Sequence, residues 1–366
     1  MGNYLAPRIF IILQAVILQA CSGGANNTGN GTAIPSGSKF VLAANNGNNT
    51  LTVIAMDPAS GKLLKSVSTA TTGSSPYAVE VDTTGKFAFV ANHSSNSISA
   101  YTIDPATGTL SAIGNMDSGA SPTSIAATAS GKFIYVANYA TAGSITILTM
   151  DTQAKTLANA GTTLAGTNTS AITISNNGKY LYAANRLSNN IITYMINAST
   201  GALSQVGNPV ATGLGPTAIS VSQNGKIVVV ANLDDNTVTS YTVDPNSGAL
   251  TLAGTKSCGT SPKAVVISPL GNYAYTANSG DDTLSGFSIN ASAGTLTTIN
   301  IAATPQKAPS GLAMDATGSY LYVANYNSHS ISSFLIDQAN GTLSANSPAN
   351  FIDGNQTYPL SLAITR

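Results

Sequence analysis

Six side chains that could bind or transform a ligand stand at two positions of a repeating sequence pattern. Four of them directly follow an Ala-Asn dipeptide, and two directly follow a proline or its repeat equivalent. They are Tyr77, His93, Tyr139, Arg186, Lys263 and Tyr326. Aromatic rings and cations on one surface suit a sugar, a carboxylate or a peptide. The alternative is a solvated surface that carries these residues by chance.

Glu80 is the only glutamate of the chain, and its repeat equivalents are small or apolar. Burial among such residues would favour its protonated form, which suits an acid or a base. His93 belongs to the same repeat and is the histidine best placed to be its partner. We therefore predict Glu80 and His93 as catalytic residues. The alternative for Glu80 is a carboxylate hydrogen bonded to water.

Several other chemistries lack their motifs. Asp234-Asp235 and Asp281-Asp282 do not have the alternating oxygen spacing of a calcium loop. No zinc motif, Cys-x-x-Cys pair, nucleophile elbow or phosphate-binding glycine loop is present. Charged residues make up 8% of the chain and the formal net charge is zero, which argues against nucleic acid as a partner. We expect no metal and no cofactor.

The elements that must position these residues repeat seven times. An Ala-Asn dipeptide ends a β-like apolar run in every repeat, with spacings of 46 or 47 residues. The asparagines are Asn45, Asn92, Asn138, Asn185, Asn232, Asn278 and Asn325. This period is typical of one four-stranded sheet per repeat, as in propeller blades. An asparagine needed in every blade is expected to be structural rather than catalytic.

The two ends of the chain predict how the ring closes. A first strand beginning with proline precedes the other Ala-Asn pairs (Thr169 replaces the proline once), but none precedes Asn45. The chain instead ends in Pro359-Leu360-Ser361-Leu362-Ala363-Ile364, a first strand with nothing after it. We therefore predict an all-β, seven-bladed β-propeller of four-stranded blades over residues 38–366, whose first blade is closed by the C-terminal strand. The six side chains above would then surround one end of the central channel.

The N-terminus has the features of a bacterial lipoprotein signal. Arg8 precedes an apolar run of twelve residues, which is too short to span a bilayer. The run ends in Leu18-Gln19-Ala20-Cys21, which resembles a lipobox. We predict a signal peptide over 1–20, a lipidated Cys21 and a flexible tether over 21–37. Ser22 favours the outer membrane of the cell envelope. The alternative is an ordinary signal peptide with an incidental cysteine.

The repeat also resembles a known family. Segments such as Gly131-Lys132-Phe133-Ile134-Tyr135-Val136-Ala137-Asn138 and the Tyr-x-Ile-Asp-x-x-x-Gly-x-Leu ending at 101–110 look like the lactonase-type seven-bladed propellers. They are also similar to the YVTN-type repeat propellers. The lactonase resemblance implies 6-phosphogluconolactonase or muconate-lactonising activity, at a site on one face of the channel that uses acid, His and Arg side chains.

Two functions remain open on these grounds. The first, which we favour, is a cell-envelope module that binds a small molecule, a glycan or a protein at the channel rim. The second is a lactone hydrolase, in which Glu80 or His93 acts as base and Arg186 and Lys263 hold an anionic group. Export counts against the second, because phosphorylated sugar lactones are cytoplasmic. A single well-placed base is nevertheless sufficient for catalysis.

Overall fold

The computed structural model describes residues 37–352 and 357–365. These residues form seven four-stranded antiparallel sheets, arranged as the blades of a propeller. The predicted fold class is confirmed. The predicted signal peptide, Cys21 and nearly all of the predicted tether lie outside the described residues. Among the residues described, no helix has the length and apolar character needed to cross a bilayer.

The strands are numbered in chain order. Blade 1 holds β1 (Lys39–Asn45), β2 (Thr50–Met56) and β3 (Leu63–Thr71), with β28 (Pro359–Ile364) as its first strand. Blade 2 holds β4 (Pro76–Val81), β5 (Phe87–Asn92), β6 (Ser97–Ile103) and β7 (Leu110–Asp117). Blade 3 holds β8 (Pro122–Ala127), β9 (Phe133–Asn138), β10 (Ser144–Asp151) and β11 (Thr156–Leu164). Blade 4 holds β12 (Thr169–Ile174), β13 (Tyr180–Asn185), β14 (Asn190–Ile196) and β15 (Leu203–Ala211).

The remaining three blades follow the same order. Blade 5 holds β16 (Pro216–Val221), β17 (Ile227–Asn232), β18 (Thr237–Val243) and β19 (Leu250–Ser257). Blade 6 holds β20 (Pro262–Ile267), β21 (Tyr273–Asn278), β22 (Thr283–Ile289) and β23 (Leu296–Ile299). Blade 7 holds β24 (Pro309–Met314), β25 (Tyr320–Asn325), β26 (Ser330–Ile336) and β27 (Leu343–Ile352), with a 3₁₀ turn at Tyr326–Ser328.

The repeated asparagine ties the second strand of a blade to the third. In blade 5, the Nδ2 of Asn232 donates to the hydroxyl oxygens of Thr237 at 3.0 Å and Thr239 at 2.8 Å. Asn232 is fully buried, and these bonds satisfy both donors of its Nδ2, which would otherwise be costly to bury. The same arrangement recurs in five of the other six blades. The structural role expected for these asparagines is confirmed.

The C-terminal strand closes the ring as predicted. β28 pairs with β1, with Leu362 opposite Ala43. All six residues of β28 are buried. The backbone N–H of Val79 in blade 2 donates to Oγ of Ser361 at 3.0 Å. The two ends of the chain therefore meet in one sheet, and that sheet is bonded to the next blade.

Buried tyrosines bind each blade to its neighbours. Tyr241 donates its hydroxyl to the carbonyl of Ala211 in blade 4 at 2.6 Å. Tyr135 donates to the carbonyl of Gly201 at 2.8 Å, which joins blade 3 to blade 4. Between blades, the core consists mainly of aliphatic first- and second-strand residues. The ring is thus held by packing and by hydrogen bonds that cross from blade to blade.

The propeller has two distinct faces. We call the face with the connections from second to third strands and from blade to blade the loop face. The opposite face, with the hairpins from first to second strands, is called the hairpin face. Each first strand runs along the central channel from the loop face to the hairpin face. A residue's place along its first strand therefore sets its depth in the channel.

Candidate functional site

The loop face brings five of the predicted binding and catalytic residues into one group. The ring of His93 stacks on that of Tyr77, with ring centroids 5.1 Å apart. Tyr77 also lies within electrostatic range of Arg186, Tyr139 and Tyr326. These residues come from blades 2, 3, 4 and 7. We call Tyr77, His93, Tyr139, Arg186 and Tyr326 the Tyr77 cluster.

Tyr77 lies at the loop-face end of the channel. It belongs to a buried cluster that includes Leu360 of blade 1, and Tyr139 of blade 3 and Tyr326 of blade 7 pack against this cluster. Only 7% of Tyr77 is exposed. Burial holds the pKa of Tyr77 well above its usual range, although the positive charge of Arg186 opposes this shift. The phenol is therefore neutral at physiological pH and lies at the centre of the Tyr77 cluster.

Burial keeps His93 a neutral imidazole at neutral pH. In several other blades, the residue after the first-strand proline or its equivalent carries a hydroxyl group, which donates to a first-strand carbonyl of the next blade. Thr217 of blade 5 donates in this way to the carbonyl of Pro262 in blade 6 at 3.0 Å. Tyr77 occupies that position in blade 2, and the imidazole of His93 is bonded to the Pro122 carbonyl instead. Its Nδ1 has no hydrogen-bond partner among the described residues. Burial lowers the pKa of His93, although the nearby Pro122 carbonyl opposes this shift. At neutral pH the imidazole is therefore uncharged, and one of its ring nitrogens carries a lone pair.

Arg186 is held in place by one acid. Its Nη2 donates to Oδ1 of Asp234 in blade 5 at 2.7 Å. Its side chain is 11% exposed, and its Nε and Nη1 have no partner within the part of the chain that the structure describes. Burial raises the pKa of Tyr139, although nearby Arg186 opposes this shift. Arg186 thus combines an anchored guanidinium with two N–H groups that a ligand oxygen could use.

Glu80 lies at the other end of the channel. It is four residues further along β4 than Pro76, about 13 Å at the usual rise of a strand. It lines a cavity of about 180 Å³ that opens towards the hairpin face and a second of about 90 Å³ within the channel. No residue of the Tyr77 cluster lines either cavity. The structure therefore does not bring Glu80 and His93 together as a catalytic pair.

The hairpin-face cavity offers little beyond Glu80 for catalysis. Asp82 and Asp315 also line it, but each accepts hydrogen bonds from the backbone of its own hairpin. These two carboxylates serve as turn acceptors, as Ser175 and Ser222 do in other blades. No lysine, arginine or histidine is among the residues that line the cavity. Among the described residues, the lining therefore offers no positively charged group that could stabilise a developing oxyanion.

Sequence reasoning missed the partner of Arg186. Asp234 was considered only as a possible calcium contact, whereas the structure pairs it with Arg186. The sequence contains a clue to this pairing. Asp234 directly follows Leu233, the residue of blade 5 that is equivalent to Arg186 of blade 4. Lys263, the remaining predicted binding residue, lies half-buried near the start of β20. Across the described residues, no group of three or more His, Cys, Asp or Glu side chains could hold a metal ion.

Solved structures share this fold closely. A protein from Bacteroides fragilis, provisionally assigned as a 6-phosphogluconolactonase, is 23% identical, with a TM-score of 0.78 over 92% of this chain and 100% of that one. The periplasmic gluconolactonase of Pseudomonas aeruginosa is 20% identical, with a TM-score of 0.76 over 89% of this chain and 99% of that one. At these identities, the likeness concerns the fold alone.

Comparison of sequences identifies the family. No curated protein sequence matches this chain. A family model described as "Lactonase, 7-bladed beta-propeller" matches residues 13–118, 152–266 and 254–352, well over half of the chain. The resemblance of the blade repeats to lactonase-type propellers is confirmed. The chain belongs to the lactonase family of seven-bladed β-propellers.

Proposed function

We propose that this protein is a lactone hydrolase whose reaction takes place on the loop face, at the Tyr77 cluster. Membership of the lactonase family carries the proposal, and it favours hydrolysis over the binding module that the sequence alone suggested. The cluster supports it with a neutral base and a cation, the two groups that addition of water to an ester carbonyl requires.

In the proposed reaction, Nδ1 of His93 accepts a proton from water while the water oxygen adds to the lactone carbonyl carbon. The Nε and Nη1 groups of Arg186 donate to the carbonyl oxygen as it becomes negative. The ring C–O bond then breaks, and its oxygen takes the proton from Nδ1. The product is a hydroxy acid, and His93 returns to its neutral form. Positioned acid–base catalysis of this kind contributes about 10²- to 10⁴-fold to a rate.

The test is a hydrolysis screen over several lactones with the purified full-length chain, following the release of acid at constant pH. We expect His93→Gln to lower kcat at least ~100-fold, because the Nδ1 base is lost. Glu80→Gln is the matched control, since it changes one polar side chain in the same blade at the other end of the channel. Loss of activity in Glu80→Gln with His93→Gln unaffected would move the site to the hairpin face. Absence of hydrolysis by the wild-type protein would favour the binding module.

We further propose that the protein is anchored in the cell envelope, at the outer membrane, through a lipid on Cys21. The lipobox-like sequence before Cys21 supports this. The structurally similar gluconolactonase of Pseudomonas aeruginosa is periplasmic, which agrees with export of this protein. Expression of the wild type and of Cys21→Ser with labelled palmitate tests the proposal. Label and membrane association should both be lost in the variant; equal membrane association of the two proteins would exclude the anchor.

A further inference from the structure

The cations on the loop face are largely neutralised by ion pairs. Arg186 is paired with Asp234 at 2.7 Å, and Lys307 is paired with Asp282 at 2.7 Å. Proteins that recognise phosphate present a guanidinium or ammonium whose donors are available to the phosphate oxygens. On this face, one donor of Arg186 and the ammonium of Lys307 are already bonded to carboxylates.

The loop face as a whole does not attract an anion. Its described loops contain four aspartates, in the Asp234-Asp235 and Asp281-Asp282 pairs, against the cations Arg186 and Lys307. Lys263 adds one positive charge at the start of β20. Acids therefore still outnumber cations, and His93 is neutral because burial lowers its pKa. A phosphate monoester carries about −1.5 to −2 charge at pH 7 and would meet the nearby carboxylate of Asp234.

The Tyr77 cluster instead suits an uncharged, hydroxyl-rich ring. Tyr139 and Tyr326 are only partly buried and supply aromatic surfaces against which the apolar faces of a sugar ring can pack. The Nε and Nη1 groups of Arg186 are donors for neutral oxygen atoms. These contacts recognise a sugar lactone without requiring a second charge.

We propose that the substrate is an uncharged, polyhydroxylated lactone, and that the Arg186–Asp234 ion pair disfavours its phosphorylated counterpart. This inference rests on the proposed function and specifies its substrate class. Asp234 acts here as a positioning and specificity-determining residue. It holds Arg186 within the Tyr77 cluster and keeps the guanidinium from acting as a phosphate site.

The experiment compares kcat/KM for D-glucono-1,5-lactone and its 6-phosphate, using the full-length wild type, Asp234→Asn and Asp235→Asn. We expect the wild type to prefer the uncharged lactone at least ~10-fold, which corresponds to about 1.4 kcal/mol. Asp234→Asn should shift the ratio at least ~10-fold towards the phosphorylated lactone, since it releases Arg186. Asp235→Asn makes the same change in net charge within the same loop, but Asp235 accepts from Leu214 and Thr237 rather than from Arg186. Its ratio should match that of the wild type.

The outcomes separate this inference from the proposed function. Hydrolysis with preference for the phosphorylated lactone would overturn the inference and keep the function. Equal ratios in the wild type and Asp234→Asn would also overturn it. If neither lactone is hydrolysed, the function fails, and calorimetric titration with the gluconolactam and its 6-phosphate decides the inference. Tighter binding of the uncharged lactam supports it; tighter binding of the phosphate, or no binding of either, overturns it.

Discussion

Closure of the ring by β28 can be measured with two matched leucine substitutions. Leu362 in β28 and Leu312 in β24 occupy the same position of the repeat, and both are 0% exposed. Leu312 belongs to a blade that is continuous in sequence, whereas Leu362 is four residues from the chain end. Leu362→Ala shortens a side chain on a strand that is joined to the rest of its blade only by pairing and packing. Leu312→Ala makes the same change on a strand that is continuous in sequence with the rest of its blade.

Burial sets the expected magnitude. Replacing a fully buried leucine by alanine costs about 2–5 kcal/mol, from lost burial and from the cavity left behind. A domain of roughly 330 residues has an unfolding entropy near 0.7 kcal/mol/K, so a loss of ~3 kcal/mol lowers Tm by about 4 °C. We expect both variants to fall in this range and to agree within about 1 kcal/mol. Both leucines are packed between neighbouring blades, which makes the sites comparable.

The assay is thermal and urea unfolding followed by circular dichroism, with Leu252→Ala as control. Leu252 is 59% exposed on the outer strand β19, so its replacement should change stability by less than about 0.5 kcal/mol. If Leu362→Ala resembles this control while Leu312→Ala is strongly destabilised, β28 does not secure the ring. The argument that termini pairing closes the propeller would then be refuted.

Four further predictions follow from individual residues. Asn232→Ala should cost about 2 kcal/mol in urea unfolding, because its buried amide bonds two threonine hydroxyls that would lose their partner; a change below 0.5 kcal/mol would contradict the structural role. Lys155 has a φ of 55° at a position where other blades have glycine. A left-handed backbone is unfavourable for residues other than glycine, so Lys155→Gly should raise the free energy of unfolding by about 1 kcal/mol. A lower Tm of the variant would count against strain at this position. Burial, together with the negative charges of Asp235 and Asp281, raises the pKa of Cys258 to about 12. In a Cys21→Ser background, the thiol of the folded protein should therefore react with a maleimide at pH 8 far more slowly than the thiol of the urea-unfolded protein. Equal rates would disprove this protection. Burial lowers the pKa of His93 from its usual 6.5, and the base form exists above that pKa, so kcat/KM should rise with pH with its midpoint below pH 6.5. A midpoint at pH 7 or above would exclude His93 as the base.

Most of the fold could be predicted from the sequence, because blade structure is local and repeated. In blade 5, the first strand begins at Pro216 and the second ends at Asn232, as the repeated proline and the repeated Ala-Asn pair predict. Turn glycines and the buried asparagines act within a single blade, so their spacing carries the necessary information. The closing strand was also evident, because a first strand was missing at one end and surplus at the other.

The candidate site could be predicted only in part. The repeat correctly indicated that Tyr77, His93 and Arg186 share the loop face, since their positions fix their depth along the channel. It also put Glu80 on a first strand, but pairing Glu80 with His93 ignored the distance between the two ends of that strand. Periodicity gives the position of a backbone, whereas catalysis depends on which side-chain ends meet.

Spacing and residue type by themselves determined the number of blades, their strands and the closure of the ring, because each depends on hydrogen bonds and burial within one repeat or between its ends. Only the tertiary structure decided that Tyr77 stacks on His93, that Asp234 binds Arg186, and that His93 lies near the carbonyl of Pro122. The last two contacts join different blades around the rim of the channel. Their geometry depends on side-chain length and on the curvature of the ring, which no single repeat encodes.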